Sequence, residues 1–307
     1  MSGRLILLDS ASLYFRGYFG VPDSLKAPDG TPVNAVRGLL DFVATLSAQY
    51  EPTSIVACWD DDWRPQWRVD LLPSYKAHRV VEETEGVDVE ETPDTLAPQV
   101  PVIAEALELL GIPVVGAPAA EADDVIGTLV HRWDGPVDVV TGDRDLFQVV
   151  DDDRQIRVLY TARGVGKHEV VDAEWVRMKY SIEPHQYVDF AVLRGDASDG
   201  LPGVAGVGEK TAATLLAAYG DLDGILSAAA DESSSIRPRV RQSLLDSADY
   251  ITSAREVVRV RADLDLDSPA ALTSLDAEEA EVFTEFGKRW GLGGAADRVL
   301  ATRGGAS

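Results

Sequence analysis

Four short, mostly apolar runs punctuate the first half of the chain: residues 5–8, 54–59, 112–115 and 137–140. None alternates strictly between apolar and polar positions, which suits strands buried on both faces of a parallel sheet. Residues 156–161 predict a fifth strand. Between the runs the period changes to that of a helix. Val36, Leu39, Leu40, Val43 and Leu46 form one apolar face, Val102, Ile103, Ala106, Leu107 and Leu110 a second, and Val125, Ile126, Leu129, Val130 and Trp133 a third. Strand and helix in alternation predict an α/β fold, with a mainly parallel central sheet and helices on both faces. Residues 172–265 read as mostly helical, including 212–219, 225–230 and 240–258, and residues 283–300 as a terminal helical region.

The pattern also places chemistry. The first two runs end at Asp9 and Asp60, the third leads into Glu121, Asp123 and Asp124, and the fourth is followed by Asp143 and Asp145. Active sites of open α/β sheets form at the carboxyl ends of the strands, so these acids are expected along one edge. Crowded carboxylates repel one another unless a cation neutralises them. An oxygen-only donor set suits a hard cation such as Mg²⁺ or Mn²⁺ rather than zinc. Each short motif read alone is more often a helix cap, but four converging on one edge are poorly explained as caps.

Residues 195–212 (GDASDGLPGVAGVGEKTA) add Asp196 and Asp199, then a glycine turn at Gly203, Gly206 and Gly208 running into a helix with Lys210 and Thr211. Such a turn lets backbone N–H groups approach a phosphate closely. The main basic segment interleaves Arg64, Arg68, Lys76 and Arg79 with Trp67 and Tyr75, and Arg237, Arg239 and Arg241 form a smaller cluster.

Charge complicates this reading. The formal net charge is −24, which argues against a nucleic-acid partner when taken as a sum. Much of the excess is local. No Lys or Arg stands between Arg79 and Arg132, a gap holding Glu82, Glu83, Glu85, Asp88, Glu90, Glu91 and Asp94. From Glu82 to Pro101 this stretch lacks an apolar period and is expected to be peripheral. The only cysteine, Cys58, lies in an apolar run and is expected buried and reduced. No stretch is long and apolar enough for a bilayer, so a cytoplasmic protein is expected.

In order along the chain, the motifs LILLDSASLYFRGYF, SYKAHR, EADD, TGDRDLFQ, GDASDGLPGVAGVGEKTA and EFGKRWGL resemble the 5′-nuclease family. That family comprises the 5′→3′ exonuclease domain of bacterial DNA polymerase I and the related flap endonucleases. The resemblance covers nearly the whole chain, and with no polymerase region following, a stand-alone member is expected. It implies a PIN-like nuclease core over residues 1–190, with an arch at about 64–101. A helical DNA-binding subdomain at 191–302, with a helix–hairpin–helix at about 202–219, and a disordered tail at 303–307 complete the expected division. It implies metal-dependent cleavage of DNA at 5′ ends and flaps, with two or more Mg²⁺ or Mn²⁺ ions. Asp9, Asp60, Glu121, Asp123 and Asp124 match a first metal cluster; Asp143, Asp145, Asp196 and Asp199 match a second. Tyr75, Lys76 and Arg79 match the basic motif at the foot of the arch, and Arg16 the family's N-terminal arginine. Gly203, Gly206, Gly208, Lys210 and Thr211 match the duplex-gripping hairpin, often with K⁺. The implied partner is flapped, nicked or 5′-tailed duplex DNA, with RNA–DNA hybrid as a further substrate. The protein is expected to be a monomer working beside a separate polymerase. Two departures stand out: Gly200 replaces a common Asn, which is expected to loosen the second cluster, and the arch is acidic. A non-catalytic DNA-junction module and an RNA-directed nuclease remain alternative readings of the same features.

Overall fold

The computed structural model describes residues 3–82, 84 and 87–304. Its strands are β1 (Leu5–Asp9), β2 (Ser54–Cys58), β3 (Val80–Glu82), β4 (Val89–Glu90), β5 (Val114–Val115), β6 (Val137–Thr141), β7 (Ile156–Tyr160) and β8 (Glu169–Val171). Six form one sheet in the order β5-β2-β1-β6-β7-β8, parallel except for the β7–β8 pair. The sequence pattern missed β8, the short antiparallel edge. Register does the positioning: Asp9 lies opposite Cys58, and Leu8 opposite Val140, so the acids following these strands emerge along the same edge.

The helices before β7 are α1 (Ser10–Gly20), α2 (Asn34–Tyr50), α3 (Gln66–Leu71), α4 (Gln99–Leu109) and α5 (Ala122–Arg132). Alternate side chains of β1 enter opposite cores. Leu5 and Leu7 join Val125, Ile126 and Leu129 of α5, while Ile6 and Leu8 join Val36, Leu40 and Ile103 of α2 and α4. Burial on both faces is why the strands show no alternation. Asp138, the polar residue within β6, is fully buried but bonded to Arg4 (2.9 Å) and Arg157 (2.7 Å).

The chain continues through α6 (Ala173–Tyr180), α7 (Tyr187–Arg194), α8 (Glu209–Tyr219), α9 (Leu222–Ala230), α10 (Pro238–Asp246) and α11 (Ala248–Val258). The stretch expected as one helix at 240–258 is thus two, broken at Ser247. An extended segment then runs back across the nuclease core. The Arg261 N–H donates to Asp124 (2.9 Å), Arg132 donates to the Leu266 carbonyl (2.9 Å), and the Leu272 N–H donates to the Thr53 carbonyl (2.8 Å).

It delivers α12 (Ala277–Arg289) and α13 (Gly294–Ala301) to the core's far face, where Phe283, Phe286 and Val299 join the α2–α4 cluster. The helical subdomain expected at 191–302 therefore ends near α11, because the last amphipathic helices find their apolar partner on the core. Nor is the expected tail free at its start. Arg303 is buried and donates to the Leu110 and Thr273 carbonyls; residues 305–307 lie outside the described residues, as do Glu83 and Glu85 of the acidic stretch. No helix among the described residues is long and apolar enough to cross a membrane.

Candidate active site

At the carboxyl edge of the sheet, Asp9, Asp60, Glu121, Asp123 and Asp143 line one pocket of about 230 Å³. Lys76 and Arg79, from the segment between α3 and β3, line it too, with Ser12, Phe15 and Trp63 also in its wall. Local bonds aim the acids. Asp9 caps α1 through the Ser12 N–H (3.1 Å) and accepts the Thr141 hydroxyl (2.6 Å). Asp60 accepts the Ala122 N–H at the start of α5 (2.8 Å), and Asp143 accepts the Asp145 N–H (2.8 Å). These caps do not compete with a site; they hold carboxylates at its edge.

Asp124 stands elsewhere. It is fully buried and receives the Arg68 guanidinium as a fork, 2.8 Å to each oxygen. Arg68 also reaches Glu121 (3.2 Å) and the Val257 carbonyl of α11 (2.9 Å). Glu121 and Asp124 are three apart on one helix face, as expected, and that face turns toward Arg68 while Asp123 lines the pocket. Arg68, read from sequence only as part of the main basic segment, is thus a buried tie between α3, α5 and α11. No local signal marks it, since its acidic partners lie 53 and 56 residues further on. Tyr75 is buried too, donating its hydroxyl to Glu121 (2.8 Å), and Lys76 bonds the other Glu121 oxygen. Arg16 lies off the pocket, donating to the Ala162 carbonyl (3.1 Å).

Asp145, Asp196 and Asp199 gather beside the pocket without lining it. Asp196 accepts from Arg194 (3.0 Å), Arg144 (3.4 Å) and the Ser198 N–H (2.9 Å), and Asp199 from Arg79 (3.2 Å). One Asp145 oxygen is buried with no hydrogen-bond partner. Gly200 tightens this loop rather than loosening it. Its φ is +73°, and a Cβ there would come within 2.0 Å of the Ser74 carbonyl oxygen. The close approach permits hydrogen bonds from the Ser74 hydroxyl to the Gly200 carbonyl (2.8 Å) and from the Lys76 N–H to the Asp199 carbonyl (3.0 Å).

Beyond this loop α7, the turn at 202–208 and α8 form a hairpin of helices. Gly203 (φ +71°) packs so tightly that a Cβ would meet the Arg194 carbonyl oxygen at 2.6 Å. Gly206 and Gly208 face open space, and Lys210 is exposed at the start of α8.

The family model for the 5′–3′ exonuclease N-terminal resolvase-like domain matches residues 4–181, and that for the C-terminal SAM fold matches residues 182–281. The chain belongs to the 5′–3′ exonuclease family. It is 56% identical to a 5′–3′ exonuclease of Streptomyces coelicolor, over 97% of this chain and 99% of that protein. A 5′–3′ exonuclease of Mycobacterium tuberculosis is 51% identical over 95% of each. The fold is that of a bacteriophage T5 flap endonuclease solved in complex with DNA and metal ions, with TM-score 0.65, 18% identity and coverage of 98% of this chain and 99% of that one.

Burial and mutual repulsion raise several carboxyls of this exonuclease-family pocket. Burial pushes the Asp9 carboxyl up to about 7, with Asp60 and Asp143 adding to the rise and the Thr141 hydroxyl opposing it. Burial raises Asp123 as well, helped by Asp143 and Asp9. Burial, then Asp143, Asp199 and Asp196, raises Asp145. Lys76 is also raised, because Glu121 outweighs the burial that lowers it. Among the described residues, no group of three or more His, Cys, Asp or Glu side chains is already arranged to hold a metal ion. The donors fit a hard divalent cation that keeps part of its water shell: all are oxygens, Asp9, Asp60, Asp123 and Asp143 line the pocket with no ion pair among the described residues, and one Asp145 oxygen has no partner.

This has a measurable consequence. An acid whose pKa is raised in the folded state binds more protons folded than unfolded, so stability falls as pH rises from its ordinary value toward about 7. In EDTA, acidification from about pH 8 to about pH 6 is therefore expected to stabilise the protein by about 1 kcal/mol through Asp9. Denaturant titrations of the protein and of Asp9→Asn check this. The increment should be absent in the variant, and equal pH slopes would contradict it.

Proposed function

We propose that the chain is a divalent-cation-dependent 5′ nuclease, hydrolysing DNA phosphodiesters near 5′ ends and flaps in replication and repair, with 5′ RNA primers as a further substrate. The observation carrying this reading is the pairing of a row of carboxylates with Lys76 and Arg79 in one pocket; the glycine turn at 202–208 is the proposed grip on duplex backbone. Mg²⁺ or Mn²⁺, when bound, supplies water activation and charge neutralisation for in-line displacement. Asp9, Asp60, Glu121, Asp123 and Asp143 are the residues to hold cations in the pocket, and Asp145, Asp196 and Asp199 those beside it. Lys76 and Arg79 set positive charge against the scissile phosphate. Phe15 and Trp63 supply apolar wall, and Asp124 acts through Arg68 by fixing Glu121 and α11.

The turn at 202–208 presents open glycine backbone and Lys210 to a duplex phosphate, with K⁺ as its proposed ion. Backbone contacts position without reading sequence, so cleavage should depend on structure rather than sequence. Replacing Lys210 by alanine is expected to weaken duplex binding and to reduce the slope of log K against log salt by about one phosphate contact. An unchanged slope in a salt titration removes Lys210 from the grip. Nucleoid localisation, a monomeric state and work beside a separate polymerase belong to the same proposal. Single-turnover cleavage of matched DNA and RNA flaps tests the substrate class: faster DNA cleavage is expected, and a preference for RNA flaps favours the RNA-directed reading.

A further inference from the structure

The acidic stretch after Arg79 has no part in the function described so far, yet its described portion is fastened over the pocket. β3 and β4 pair as a hairpin with Val80 opposite Glu90. Asp88 staples the hairpin down. Its carboxylate meets Arg64 (2.5 Å) and accepts the Thr84 N–H (3.3 Å), while its carbonyl accepts the Trp63 indole N–H (2.6 Å). Arg64 and Asp88 expose only 6% and 13% of their side chains, so this is an internal tie and not a surface pair. On the other side, the Glu91 N–H donates to the Arg79 carbonyl (2.8 Å).

Between these two anchors, Glu90 lines the same pocket as Lys76, Arg79 and the acid row. It is half-buried, and no hydrogen bond or ion pair of its side chain occurs among the described residues. Burial pushes its carboxyl up. Arg79 and Lys76, the charged groups acting on it most strongly, pull it down, ahead of the opposing Asp60 and Glu121. Glu90 thus shares one pocket with the two cations proposed to receive a phosphate.

Resting on the nuclease reading above, we propose that Glu90 sets an entry threshold: it puts a negative charge before Lys76 and Arg79 where the phosphates of an entering 5′ strand must pass. Like charge at short range in a half-buried pocket repels strongly. An untethered single strand meets that repulsion with nothing to offset it. A strand joined to duplex held at the 202–208 turn enters at high local concentration and overcomes it. Glu90 therefore acts as a threshold that strands not attached to duplex fail to pass.

Fluorescence anisotropy in EDTA, with a 5′-flapped duplex, the same duplex without a flap and the free flap strand, tests this without relying on turnover. Glu90→Gln is expected to tighten binding of both strand-bearing ligands by about fivefold while leaving the flapless duplex where wild type has it. Glu90→Asp, which keeps the charge on a shorter stem, should fall between wild type and the Gln variant. Unchanged or weaker binding of the flapped duplex by Glu90→Gln, with flapless binding intact, overturns the role of Glu90 alone. Tightening of all three ligands equally also overturns it, since that is a general charge effect. A wild type that binds neither duplex overturns the nuclease reading together with this inference.

Discussion

Replacing Asp123 by alanine should lower the single-turnover cleavage rate on a flapped duplex by at least about 10³-fold, while duplex affinity stays within about twofold of wild type. Asp123 lines the pocket with Asp9, Asp60, Glu121 and Asp143. Its carboxyl is raised by burial and then by Asp143 and Asp9, so its charge is costly to the fold and of use only to a bound cation. Removing it relieves repulsion, and the variant should be at least as stable as wild type in EDTA. A structural role predicts the opposite on both counts: lost stability and retained turnover. Rapid-quench cleavage, anisotropy and denaturant titration on one preparation separate the two. Full turnover by the variant, or a loss of stability matching the loss of rate, removes Asp123 from the chemistry.

The second large effect is expected at Arg68. Its side chain is 3% exposed, holds Asp124 with two bonds and Glu121 with one, and reaches the Val257 carbonyl of α11. Burial pulls the guanidinium's pKa down, and Glu121 with Asp124 outweighs it and raises it. Removing one member of a buried ion network leaves the others uncompensated, so Arg68→Ala should cost about 3–5 kcal/mol. Arg68→Lys should recover only part of that, since an ammonium cannot form the fork. A loss below about 1 kcal/mol in urea unfolding would contradict the network. Glu121 receives Arg68, Tyr75 and Lys76 together, so the Lys variant should also cleave more slowly than its stability alone explains.

What the sequence revealed followed from local rules. The strands were legible because burial on both faces removes alternation, and Asp9, Asp60 and Asp143 because they directly follow such strands. The glycine turn was legible because Gly203 and Gly206 adopt positive φ, which few other residues tolerate. The remainder depended on contacts between distant segments. Spacing put Glu121 and Asp124 on one face but could not say that the face meets Arg68. Arg68 read only as one member of a basic segment, because its partners come from another crossover. An acidic stretch without apolar period read as peripheral, yet the Arg64–Asp88 tie fastens it and brings Glu90 to the pocket. The apolar faces of α12 and α13 were visible, but amphipathicity does not state which core a helix covers. Gly200 read as a missing amide, whereas the close approach of Ser74 explains why a side chain is absent.

The central claim is that the acidic pocket is a cation-dependent phosphodiesterase site served by a duplex grip. Incubation of a 5′-labelled flapped duplex with the wild-type protein in EDTA, in Mg²⁺ and in Mn²⁺ tests it most directly. The expected result is release of a flap-length oligonucleotide in either metal and none in EDTA. Cleavage that persists undiminished in EDTA contradicts the cation-dependent site, and tight binding with no cleavage in either metal would make the chain a junction-binding module instead.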